Sequence, residues 1–223
     1  CFFFFSSAKR KKSTGWVLMD AVVQSLSVVH SLQSSPDQIN AANHVLLTFR
    51  NRPDALDLCV QVLSSEQQND AAVLHFASSC VSDLFRSSSS VSFSRMLLGV
   101  LCSRFNRPRH GSLALALQRA CGKIVASMTS PEWPCCLQDC LAMLEHRNAV
   151  DFLFGVLQYT AEQVEQHLVG KAASLVVGQL QQAAPLVCSL CLNSPPTPAS
   201  LGALSSWVRI GAMPMDVLVP SGL

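Results

Sequence analysis

The chain has 223 residues, of which 49% are hydrophobic and 13% charged, too apolar a balance for a disordered or solvating segment. Its formal charge of +2 rests on one cluster, Lys9, Arg10, Lys11 and Lys12; the rest carries two more acidic than basic residues and gives no argument for nucleic-acid binding. The ten cysteines fall mostly on apolar helical faces and not in turns, which speaks against a disulfide-framed scaffold and for a reducing compartment.

Residues 1–18 read as an unstructured leader outside the fold, with Met19 as the natural start. The apolar run Cys1–Phe5 is too short for a signal-peptide core or a membrane span. The cluster Lys9–Lys12 has the composition of a short nuclear-localisation signal.

Periodic apolar residues then predict helices in pairs. The first runs from Val17 to about Gln33 and its partner from Pro36 to about Asn51, with Ser35 as N-cap and Pro36 at the first helical position. Ile39, Ala42, Leu46 and Phe49 form one stripe on the partner. Pro53 opens a short helix with Leu56, Val60 and Leu63 facing inward. Its mate spans about Gln67–Arg86, with Val73, Phe76, Ala77, Cys80 and Leu84 on one face. Ser87–Ser90 reads as a loop.

The third pair is Ser92–Asn106 and Ser112–Met128; in the latter, Leu113, Leu117, Ala120, Cys121, Ile124 and Met128 recur at spacings of three and four. Ser130 and Pro131 open a fourth pair, with Leu137, Cys140, Leu141 and Leu144 inward. The second helix of that pair starts near Asn148 and carries Leu153, Val156 and Leu157. Thr160 followed by Gln163 has the form of a capping box, which would start a longer helical region ending near Asn193. Within it, Val169–Leu192 is interrupted by Lys171, Gln179, Gln181, Gln182 and Pro185, so a doubly buried helix is expected in place of a membrane span. Ser194–Pro198 is a hard break. Thr197 as cap and Pro198 open a last helix through Leu201, Leu204, Trp207 and Val208, ended by Gly211.

No stretch has strand periodicity. About five antiparallel helix pairs at a period of roughly 40 residues predict an all-α fold, a HEAT-repeat α-solenoid over 19–223.

No catalytic or metal constellation emerges. Cys188 and Cys191 form a C-x-x-C, and Cys135, Cys136 and Cys140 cluster, but both groups fall on apolar helices and read as core. The six histidines lack ligand spacing, no Ser stands in G-x-S-x-G, and no glycine run cradles phosphate. The chain is expected to be no enzyme and to hold no cofactor or metal. One charge feature stands out: between Asp83 and Glu132 there is no acid, while Arg86, Arg95, Arg104, Arg107, Arg109, Arg119 and Lys123 are basic. Arg104, Arg107 and Arg109 crowd one loop, and either form a solvated loop or a contact for an acidic partner surface.

Three stretches resemble the importin-β superfamily of nuclear transport receptors, in its transportin-SR and importin-thirteen branch. They are SSPDQINAANHVLLTFRNRPDALDLCVQVL (Ser34–Leu63), LALALQRACGKIVASMTSPEWPCCLQDCLAML (Leu113–Leu144) and LSSWVRIGAMPMDVL (Leu204–Leu218). The likeness is colinear over about residues 19–220; it departs where Val45 and Leu46 stand in place of an aromatic before Phe49. The resemblance implies the N-terminal part of a longer receptor shuttling between nucleus and cytoplasm. Such a receptor would bind the GTPase Ran in its GTP form on the concave face of these first repeats, along with protein cargo and nucleoporins, without direct nucleic-acid binding or membrane insertion. On this reading Asn40, Asn43 and His44 are outward-facing. The alternative is a HEAT- or armadillo-like scaffold without Ran linkage.

Overall fold

In the computed structural model the described residues are 14–68, 70–86, 89–105, 111–128, 133, 135–145, 150–167, 170–193 and 196–213, and every regular element among them is an α-helix. The helices are α1 (Thr14–His30), α2 (Pro36–Arg50), α3 (Ala55–Ser64), α4 (Ala71–Leu84), α5 (Val91–Phe105), α6 (Gly111–Met128), α7 (Cys136–Glu145), α8 (Val150–His167), α9 (Lys171–Leu192) and α10 (Pro198–Arg209). Two compact units divide between Leu58 and Cys59, inside α3.

In the first unit α1 packs on α2. Met19, Val22 and Leu26 are buried on α1, Ala42 and Phe49 on α2, while Ile39 and Leu46 of the expected stripe are half-buried. The start of α2 is fixed locally. Ser35 Oγ accepts the Gln38 amide at 3.3 Å and Gln38 Oε1 accepts the Ser35 amide at 2.8 Å, so a capping box joins the predicted cap and Pro36. α1 begins at Thr14, so 14–18 are helical and not part of an unstructured leader; residues 1–13 lie outside the described residues. Once the apolar run downstream nucleates the helix, each added residue gains a hydrogen bond, and nothing in 14–18 stops it.

In the second unit α4, α6, α8 and α10 lie side by side in that order, while α5 touches α7 and α7 touches α9. α6 is the most enclosed: all six residues of its predicted stripe are buried, together with Ala116, Gly122, Val125 and Ala126. Its approach to α8 is close. A Cβ on Gly122 would stand 2.8 Å from Tyr159 Cβ and 2.9 Å from the Thr160 amide nitrogen, and one on Gly155 would stand 2.1 Å from the Gln118 side chain. Gly122 thus lets backbone meet backbone where a side chain would hold the helices apart, and Gly155 leaves room for the Gln118 side chain. Gln118 Nε2 donates toward the Asp151 and Phe152 carbonyls at 3.4 Å, and Phe105 stacks on Phe152 with centroids 4.0 Å apart.

α10 docks through Trp207, fully buried, whose indole N–H donates to the Leu157 carbonyl of α8 at 3.1 Å. That anchor turns Ser200, Ala203 and Ser206 inward and leaves Leu201 and Val208 60% and 42% exposed. Thr197 and Pro198 start the helix as predicted, and Ser200 completes a capping box. At its end Ala212 N–H donates to Trp207 O at 2.9 Å and Gly211 N–H to Val208 O at 3.0 Å, a Schellman closure with Gly211 at φ +73°.

Two expectations fail. Thr160 is no cap: it lies inside α8, buried, with its hydroxyl donating to the Val156 carbonyl at 2.8 Å. A Thr-x-x-Gln spacing carries no sign of whether the chain upstream is already helical, and here a continuous helix supplies Thr160 with an acceptor one turn back. The chain breaks instead before Lys171, with Gly170 as N-cap of α9. Nor is α9 doubly buried. Val176, Leu180, Ala183, Ala184, Val187, Cys188 and Cys191 line one buried face, but Leu175 and Leu186 are exposed on the other. By length and composition Ala173–Cys191 could cross a membrane, and 39% of that window is buried.

The close crossing reverses an ordinary substitution. Gly122→Ala is expected to lower the unfolding free energy by about 2 kcal/mol, because the helices must separate. Gly99→Ala on α5, with nothing within 4 Å of the new methyl group, leaves stability unchanged or raises it by up to about 1 kcal/mol. Urea midpoints of the two variants check the pair.

Candidate interaction surface

A helix ends with four carbonyls that lack intrahelical partners, and its C-terminus carries partial negative charge. At the end of α3 these groups meet Arg104, from the last turn of α5. Its Nε donates to the Leu63 carbonyl, Nη2 to the Ser65 carbonyl and Nη1 to the Gln68 carbonyl at 3.2 Å. The residue is 6% exposed. Of the predicted basic patch, Arg104 is therefore withdrawn: its charge is turned inward, tying α5 to the chain that follows α3. Arg107 and Arg109 lie outside the described residues.

Other cations gather elsewhere. On the successive helices α4, α6 and α8, Arg86 follows the last turn of α4, Arg119 and Lys123 stand one turn apart on α6, and the Arg119 guanidinium lies 5.2 Å from the Tyr159 ring centroid of α8. Burial, and secondarily the Arg86 charge, lower the pKa of Lys123; Asp83 pulls weakly the other way. The sequence holds the signal for part of this group in the four-residue spacing of Arg119 and Lys123. Arg86 joins them through packing of α4 on α6, which no local pattern reveals.

A second node joins α5 and α7. Arg95 Nη2 meets Asp139 Oδ2 at 2.7 Å, the buried Trp133 donates its indole N–H to the same oxygen at 2.8 Å, and the Arg95 guanidinium lies 5.1 Å from the Trp133 ring centroid. This closed arrangement satisfies its own charges and reads as a clamp. In the first unit Asn40, Asn43 and His44 are all exposed on α2, and the exposed Val45 and Leu47 lie among them.

The cysteines show how inert the interior is. Eight of the nine described cysteines are buried; Cys135 alone is exposed. Cys102 of α5 shares hydrogen bonds with Cys121 of α6 and Cys140 of α7, and these bonds, with burial, push both partners' pKa values up. Burial likewise raises Cys136, and holds Cys191 of the C-x-x-C up at about 11. Such thiols carry little thiolate near neutral pH and act as small apolar groups. Among the described residues no three His, Cys, Asp or Glu side chains are placed to hold a metal ion.

No family model matches the sequence, and no curated protein matches it.

Two outcomes test this geometry. Arg104→Met removes the three hydrogen bonds to the Leu63, Ser65 and Gln68 carbonyls and is expected to destabilise the fold by about 3 kcal/mol, read from urea unfolding; Arg104→Lys, without the planar fork, recovers only part of the loss. In native protein at pH 8, peptide mapping after brief iodoacetamide treatment is expected to find Cys135 alkylated and Cys102, Cys121, Cys136 and Cys140 unmodified. Cys191 becomes reactive only as the pH climbs toward about 11, where its thiolate forms.

Proposed function

We propose that the chain is the N-terminal portion of a nuclear transport receptor of the importin-β type, built as a HEAT-type array of helix pairs. The observation that carries this reading is the alternate stacking in the second unit. Every second helix, α4, α6, α8 and α10, packs on the next of its kind, and α5, α7 and α9 do the same. A chain that forms pairs and stacks them in register builds two parallel helix layers, the arrangement of an α-solenoid. The resemblance of Ser34–Leu63, Leu113–Leu144 and Leu204–Leu218 to the transport receptors supplies the functional part.

On this reading the layer of second helices presents a surface to Ran in its GTP form, and protein cargo and nucleoporins engage the receptor as it shuttles between nucleus and cytoplasm. Small rotations between successive pairs sum along the array, which couples binding at one end to curvature elsewhere.

The test is capture of the chain on immobilised Ran loaded with a non-hydrolysable GTP analogue or with GDP. The expected result is retention on the GTP form alone. Equal or absent retention on both removes the transport reading and leaves a helical scaffold without Ran linkage.

A further inference from the structure

We draw no further inference here: the strongest candidate, the apolar stripe that Leu201 and Val208 expose along α10, is an unpartnered helix face, and nothing in the structure shows what covers it.

Discussion

The closeness of α6 to α8 is the constraint on which the second unit depends. Where Gly122 faces Tyr159 and Thr160, no atom larger than hydrogen fits between the helices. That contact sets their separation, and the separation sets where every neighbour must go. α6 also packs on α4, α8 also packs on α10, and α5 and α7 both touch α6. Small and apolar residues alternate along α6 to suit this crowding: Ala116, Ala120, Cys121 and Ala126 fill narrow gaps while Leu113, Leu117, Ile124 and Met128 fill wide ones. The thiols of Cys102, Cys121 and Cys140 belong to the same economy of volume. Their hydrogen bonds to one another satisfy weak polarity in an interior that offers few other partners.

Polar groups join helices where apolar packing cannot. A guanidinium buried at the end of α3 is costly to desolvate, and the Leu63, Ser65 and Gln68 carbonyls offset that cost by accepting its N–H groups. Arg95, Asp139 and Trp133 achieve the same between α5 and α7 nearer the surface. The protein thus spends some of its basic side chains on internal joints and leaves others outward. Sequence position alone does not separate the two kinds.

Much of the fold was legible because its determinants are local. Caps at Ser35 and Thr197 with prolines behind them, the stripe from Leu113 to Met128, and the stop at Gly211 each depend on residues within one or two turns. The failures share the opposite character. Thr160 has the sequence of a cap, but whether it starts a helix depends on whether Val156 is already in one. α9 has enough apolar residues for two buried faces; how many neighbours cover it is a tertiary fact. Arg104 looked like a surface charge because its acceptors lie 36 to 41 residues upstream. For the candidate site, one spacing, Arg119 to Lys123, was visible in the sequence, and the arrival of Arg86 was not.

The bond from Trp207 to the Leu157 carbonyl has a use beyond holding α10 in place. An indole whose N–H is bonded inside an apolar joint emits at shorter wavelength than one released to water, so its emission reads the integrity of that single joint. The backbone carbonyl of the same residue accepts the amides of Ala212 and Met213. Loosening of the chain after Gly211 and slippage of α10 on α8 would therefore reach one chromophore. Trp207, one of three tryptophans in the chain, is thus an optical gauge of the contact between α8 and α10.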